Sequence, residues 1–401
     1  MFFFPVRATN AAQSTFVSWQ RDPHGSATSR TSTMVVTVAP ENVLKKPIKS
    51  KGGMVMGSLD ATYLKRRQEC SDKFFTCKSG RTYCYFTDGS DPAQEGVAVV
   101  LCIHGQAQRS TDWLLKEPLP DIFQICVDRI GHGLSSNAPA EGFAFADGCD
   151  ELLEVVDAVY AEVQIPVQKK FFVTGHSMGG TWSIEMAACP TTRDRIEAIA
   201  PVASPLDFNN PRITEAERKG KLFKDLGVST MIKAGKPSCG GALAKKMLMY
   251  FAPVRPSVKK SGDKKYGQDY GMADNFKQMT TYDDIAGDTK WRGAMDADPF
   301  FITKMMDGSK SCNTPHDFFC DTARCWHKRW SYDPSEVKVP CFLYCGSLDS
   351  ISEDMTKLNQ RLIGDSAEVI VWEGAGHLSV GIGYASIVQA LVKKEKAASP
   401  V

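Results

Sequence analysis

Residues 171–180 constrain the fold of this chain more than any other part of the sequence. The stretch starts as the apolar run Phe-Phe-Val, which is typical of a buried parallel strand. It continues into a Gly-x-Ser-x-Gly pentapeptide at 175–179, whose serine is Ser177, and residues 181–188 then read as a helix. A strand, a sharp turn and a helix in this order predict a nucleophile elbow, with the Ser177 hydroxyl at the tip of a sheet.

Further apolar runs alternate with helical patterns along the chain. The predicted strands are a hairpin at 74–77 and 81–86, then 98–103, 122–127, 171–173, 196–202, 339–345 and 367–372. Apolar side chains at helical spacing over 147–163 predict the helix that leads into the elbow strand, and 385–394 predicts a final amphipathic helix. This alternation predicts an α/β fold with a mostly parallel, doubly wound sheet, whose chemistry lies at the carboxyl ends of the strands.

The alternation of strands and helices stops over residues 206–335. Pro residues, Lys-rich patches and clusters of Phe and Met there predict a mainly helical insertion after the sixth strand. The core is then expected at 56–205 and 336–401. Residues 1–55 are rich in Ser and Thr and poor in acids, which favours a disordered leader or an organelle transit peptide. A true start at Met34, Met54 or Met56 is the third alternative. The protein is accordingly expected to be cytoplasmic, or organellar if the leader is a transit peptide. The oligomeric state stays open.

Composition excludes several classes of partner. The chain has 401 residues, a net charge of +2 and 23% charged residues, so no strong attraction to nucleic acid or to anionic membrane is expected. No apolar run reaches eighteen residues, so no transmembrane segment is expected.

The 13 cysteines argue for a reducing compartment, because several lie in predicted core strands. One local cluster comprises Cys312, His316, Cys320, Cys325 and His327, but it contains no Cys-x-x-Cys pair. We therefore expect free thiols here and no metal site.

Acyl transfer by a serine needs a base, an acid that orients the base, and donors for the oxyanion. The chain offers Ser177, Asp349 and His377, each just after a predicted strand and in this order. Nucleophile, acid and histidine in this order are typical of α/β-hydrolases. Asp207 follows another strand and is the alternative acid, although its position also fits a turn into the insertion.

Two backbone amides are the candidates for the oxyanion hole. One belongs to Met178, directly after the nucleophile, and the other to Gln106, after the His104-Gly105 pair. We expect His104 to hold its loop and not to act as a base.

These motifs resemble those of the α/β-hydrolase-fold serine hydrolases that carry a cap, a family that includes esterases, lipases, proline iminopeptidases and C–C bond hydrolases. The matching residues are His104-Gly105, the run 128–135, the run 175–180, the run 346–349 and Gly376-His377. The resemblance implies that the insertion covers the active site and shapes the pocket. A serine nucleophile argues against the related epoxide hydrolases and dehalogenases, and Gln106 departs from the glycine-rich HGGG pattern.

The expected activity is hydrolysis of a carboxylic ester through an acyl-serine, with no metal or organic cofactor and with an apolar acyl or aromatic small-molecule substrate. Peptide hydrolysis of the proline iminopeptidase kind or C–C hydrolysis by the same residues remains open. A proline iminopeptidase would need an acid to hold the substrate amine, for which Glu215, Glu217 and Asp225 are candidates. A non-catalytic relative that acts as a binding protein is the third alternative.

Overall fold

The computed structural model describes residues 48–49, 55–56, 60–139, 143–219, 239–250, 287–308 and 311–401. Most of the predicted leader and of the insertion's centre, with Asp225, lies outside these ranges. Of the leader region the structure describes one short antiparallel pair, β1 (Ile48–Lys49) with β2 (Val55–Met56).

An eight-stranded sheet forms the centre of the protein, as the sequence predicts. Its strands are β3 Lys73–Thr76, β4 Thr82–Gly89, β5 Ala98–Ile103, β6 Ile122–Asp128, β7 Phe171–His176, β8 Ile196–Val202, β9 Cys341–Gly346 and β10 Ala367–Trp372. They are ordered β10-β9-β8-β7-β5-β6-β4-β3 across the sheet. Only the two pairings of β4 are antiparallel, so the prediction of a mostly parallel sheet is confirmed.

Helices cover both faces of this sheet. The helices of the described residues are α1 Ala61–Glu69, α2 Phe145–Glu162, α3 Met178–Ala188, α4 Glu215–Lys219, α5 Cys239–Tyr250, α6 Thr289–Asp296, α7 Pro299–Gly308, α8 Pro315–Thr322, α9 Glu353–Ile363 and α10 Tyr384–Lys393. A π-helical turn, Ala323–His327, directly follows α8. Helices α4 to α8 lie in the insertion between β8 and β9, which is the sixth connection of the main sheet. No helix in the described part of the chain is long and apolar enough to cross a membrane.

The central strand β5 shows why its sequence is an unbroken apolar run. Val99, Leu101 and Ile103 pack into one hydrophobic core together with α2 and α3. Val100 and Cys102 point to the opposite face and pack into a second core with α1 and α10. Because successive side chains in a strand alternate between faces, a strand covered on both sides needs apolar residues throughout.

Helix α1 precedes the first predicted strand and was not predicted. Its sequence is mostly polar, so it gives no clear apolar period, yet Tyr63 and Arg66 are buried. The Asp60 carboxylate accepts a hydrogen bond from the Tyr63 amide at 2.8 Å and thus caps the helix. Arg66 forms a buried ion pair with Asp88 on β4 at 2.6 Å, which fixes α1 against the sheet.

The structure describes the surroundings of twelve cysteines, and all twelve are buried free thiols. Within the predicted cysteine–histidine cluster, Cys320 Sγ lies 3.2 Å from His316 Nε2. Cys312 instead contacts His132, outside the cluster, at 3.4 Å. Among the described residues no three His, Cys, Asp or Glu side chains are grouped so that they could hold a metal ion.

Candidate active site

The turn between β7 and α3 has the geometry of a nucleophile elbow. Ser177 has φ 53° and ψ −123°, a sparsely populated conformation for a residue with a side chain. A Cβ on Gly175 would lie 2.2 Å from the carbonyl oxygen of Gly179, and one on Gly179 would lie 2.2 Å from that of Ile103. Glycine is therefore required at both positions, because the helix starts so close to the sheet. The helix N-terminus follows directly at Met178 and favours negative charge near Ser177.

His377 and Asp349 are in direct contact. The Nδ1 atom of His377 lies 2.9 Å and 3.0 Å from the two carboxylate oxygens of Asp349. One of these oxygens also accepts a hydrogen bond from the Ile351 amide at 2.7 Å, and the carboxylate is fully buried. Because a carboxylate only accepts hydrogen bonds, Nδ1 carries the proton of the neutral ring and Nε2 carries the lone pair.

The loops that carry these two residues are fastened to each other and to the end of β7. The Leu348 amide donates to the Ala375 carbonyl at 3.0 Å, which joins the loop after β9 to the loop after β10. The His377 carbonyl in turn lies 2.8 Å from Nε2 of His176, the residue before Ser177. The structure thus brings Asp349 and His377 together and places their loops beside the elbow.

Asp207, the alternative acid, bonds to its own turn and to the backbone of Trp330. Its carboxylate accepts hydrogen bonds from the Asn209 amide at 3.2 Å and from the Asn210 side chain at 3.3 Å. Burial raises the pKa of Asp207 to about 6, against the opposing effect of these hydrogen bonds. This arrangement is a turn at the start of the insertion, whereas the acid bonded to His377 is Asp349.

The loop after β5 passes directly beside Ser177. A Cβ on Gly105 would lie 3.0 Å from the Cβ of Ser177, and Gln106 follows it. Both ring nitrogens of His104 are bonded to backbone: Nε2 accepts from the Arg129 amide at 2.9 Å and Nδ1 donates to the Gly105 carbonyl at 2.7 Å. Burial, and then the charge of Arg129, hold the pKa of His104 well below its usual value. His104 therefore shapes the loop and has no nitrogen left to act as a base.

Arg129 and Asp321 hold this loop from behind, and no role for either was predicted. Arg129 donates to the carbonyls of His104 at 2.9 Å and Gly105 at 2.8 Å. Its guanidinium also forms a buried two-point ion pair with Asp321, at 2.6 Å and 3.0 Å. Burial alone would raise the pKa of Asp321, but the ion pairs with Arg129 and Arg324 together hold the pKa well below its usual range. Asp321 lies in the insertion, 192 positions from Arg129, and no local pattern links the two.

The Alpha/beta hydrolase family model matches residues 100–382, which is more than half of the chain. The chain therefore belongs to the alpha/beta hydrolase family, as its motifs and its sheet indicate. Comparison with curated protein sequences gives no match.

Solved structures with a similar fold include an alpha/beta hydrolase enzyme from a Medee basin deep-sea metagenome library, with a TM-score of 0.50 and 11% identity over 82% of this chain and 100% of that one. An esterase from a Rhodococcus species has a TM-score of 0.48 and 16% identity, over 80% and 98% of the two chains. An enol-lactonase from Burkholderia xenovorans has a TM-score of 0.48 and 15% identity, over 80% and 99%. At these identities the likeness concerns the fold alone.

Proposed function

We propose that the protein is a serine hydrolase that cleaves a carboxylic ester through an acyl-serine intermediate. In this proposal Ser177 is the nucleophile, His377 the base and Asp349 the acid that orients it. The backbone amides of Gln106 and Met178 bind the oxyanion. The observation that carries the proposal is the contact of His377 with the buried Asp349 carboxylate, in loops fastened beside a strained serine elbow.

Each side chain has a defined part in the two half-reactions. His377 Nε2 takes the proton of the Ser177 hydroxyl as its oxygen attacks the ester carbonyl, and Asp349 stabilises the imidazolium that forms. The proton then passes to the leaving alcohol, and the acyl-serine remains. Water, activated by the same histidine, attacks this acyl group and restores the serine. The positive end of α3 and the two amides stabilise the oxyanion in both steps.

An apolar acyl or aromatic group is the favoured substrate. The support comes from a buried apolar cluster in the insertion that comprises Met295, Phe301 and Met305 and packs on Leu378, the residue after His377. Apolar side chains of the insertion therefore pack directly against the loop of the proposed base. In this proposal the insertion acts as a cap over the site.

The test is labelling with a fluorophosphonate probe, followed by a screen of p-nitrophenyl esters of graded acyl length. The wild-type protein should be labelled and should turn over medium or aromatic acyl esters fastest. Ser177→Ala should abolish labelling and lower turnover by several orders of magnitude, leaving only residual catalysis from the oxyanion hole and binding. Wild-type turnover of aminoacyl amides or diketones, with none of esters, would move the reaction to peptide or C–C cleavage. A protein that the probe does not label would be a binding protein.

A further inference from the structure

The loop that carries the proposed oxyanion amide of Gln106 is anchored from two sides. We call residues 104–108 the oxyanion loop. Arg129 on the sheet side holds the carbonyls of the first two residues. On the other side, Ser311 of the insertion donates its amide to the Ala107 carbonyl at 3.3 Å, and its hydroxyl donates to the Gln108 carbonyl. Nearly the whole loop is therefore fixed by contacts outside itself.

The Gln106 side chain is tied to the end of α8. Its Nε2 donates to the Phe318 carbonyl at 3.1 Å and to the Thr322 hydroxyl at 2.8 Å. The Thr322 hydroxyl donates in turn to the Phe318 carbonyl at 2.9 Å, which closes a three-membered ring of hydrogen bonds. Thr322 is fully buried, so water does not compete for these bonds. A π-helical turn begins at Ala323, so the regular α-helix ends at Thr322, the residue that Gln106 contacts.

The backbone of the loop needs such anchors to keep its conformation. Ala107, directly after Gln106, has φ 58°, in the left-handed region that residues with a Cβ disfavour. A residue persists there only when its surroundings hold it. Here the surroundings belong to the insertion, because Ala107 packs on Cys312 and Phe318 and its carbonyl is bonded to Ser311.

We propose that Ser311, Phe318 and Thr322 form an oxyanion clamp, which positions the Gln106 amide for acyl transfer. This inference rests on the proposed function and deepens it. Thr322 is a positioning residue that acts through Gln106 without touching the substrate. An oxyanion donor has to be held in place to about 0.5 Å. A loosened clamp therefore reduces the stabilisation of the transition state more than it reduces the binding of the substrate. Hydrolysis then depends on α8 being seated on the oxyanion loop.

Thr322→Val tests the clamp, because it removes the hydroxyl and keeps the shape of the side chain. We expect kcat to fall about tenfold with KM changed less than about twofold, since a shift well under 1 Å in a reacting group costs less than a hundredfold. A trifluoromethyl ketone, which forms a hemiketal oxyanion on the serine, should lose affinity by the same factor as kcat. Thr322→Ser restores the hydroxyl and should recover most of the lost rate.

The matched control is Thr192→Val, four residues beyond the C-terminal end of α3. Thr192 is also fully buried, and its hydroxyl also donates to a backbone carbonyl, that of Met186. Loss of the Thr192 hydroxyl should lower the melting temperature without changing kcat or the affinity for the ketone. If Thr322→Val fails to fold, the second variant is Gln106→Met. It removes the hydrogen bond between the two side chains at the other partner, Gln106, which is only half-buried. In a double variant the two losses should not add, because they remove one interaction.

The outcomes separate the clamp from the proposed function. If Ser177→Ala abolishes ester turnover while folded Thr322→Val and Gln106→Met keep wild-type kcat and ketone affinity, the clamp is wrong and the hydrolase proposal stands. Equal losses in Thr322→Val and Thr192→Val would also contradict the clamp, since they would reflect stability alone. If Ser177→Ala leaves turnover unchanged, both proposals fall together.

Discussion

His176 donates a hydrogen bond from Nε2 to the carbonyl oxygen of His377, and the two atoms lie 2.8 Å apart. This bond joins the strand that ends at the elbow to the loop of the proposed base. Burial, and then the neighbouring His377, hold the pKa of His176 well below its usual value. The lowered pKa favours the neutral ring, which supports the base without placing a second positive charge next to the imidazolium that forms in the reaction. The other ring nitrogen, Nδ1, lies 3.1 Å from Oε1 of Gln108.

His176→Phe should lower kcat by about threefold to tenfold and destabilise the protein by about 1–3 kcal/mol, because it removes the hydrogen bond to the His377 carbonyl and the contact of Nδ1 with Oε1 of Gln108. Phe fills the volume of the imidazole, so the loss reflects these two polar contacts. Steady-state kinetics and urea unfolding measure the two effects. A variant that loses stability but keeps wild-type kcat would show that the bond supports the fold and not the base.

Asp349→Asn should lower kcat by about a thousandfold to ten-thousandfold with the fold intact by circular dichroism. The asparagine amide disfavours the tautomer of His377 that carries its proton on Nδ1. Asp207→Asn should lose less than about tenfold, because Asp207 bonds to its own turn and to the Trp330 backbone, whereas His377 is bonded to Asp349. The reverse pattern of losses would make Asp207 the orienting acid and would overturn the assignment of Asp349.

The parts of this structure that were predictable are those with a local signature. The central strands follow from apolar runs buried by helices on both faces, whereas the edge strand β3, which has no fully buried residue, follows from the hairpin pattern. Gly175 and Gly179 mark the tight approach of α3 to the sheet, and the contact of His377 with Asp349 agrees with the order of the motifs.

The parts that were missed depend on contacts between distant segments. Helix α1 is held by a cap and by the ion pair of Arg66 with Asp88, which a nine-residue polar sequence does not reveal. The contact of Gln106 with Thr322 spans 216 positions, and each residue alone is ordinary. Such pairs join segments that are separated along the chain, so no period or motif predicts them.

Gly179→Ala should prevent folding or destabilise the protein severely. Its Cβ would lie 2.2 Å and 2.6 Å from the carbonyl oxygens of Ile103 and His104, and backbone cannot give way as a flexible side chain can. Gly293→Ala is the matched control, because this exposed helix position has open space around it. The control should be more stable by up to about 1 kcal/mol, since Ala favours a helix over Gly. Thermal unfolding compares the two, and a soluble Gly179→Ala protein with a wild-type melting temperature would contradict the close approach of α3.

Asp207 should make the free energy of unfolding fall as pH rises from about 4 to about 6. Burial raises its pKa in the folded protein to about 6, so in this window the folded state keeps a proton that the unfolded state has released. The stabilisation is complete below pH 4, is lost by about pH 6 and amounts to at most about 3 kcal/mol for two pKa units. Urea unfolding of wild type and Asp207→Asn at pH 4 to 7 isolates this effect, since the other groups titrate in both proteins. The difference between them should fall across the window and stay constant above it; a difference independent of pH would mean that Asp207 titrates normally.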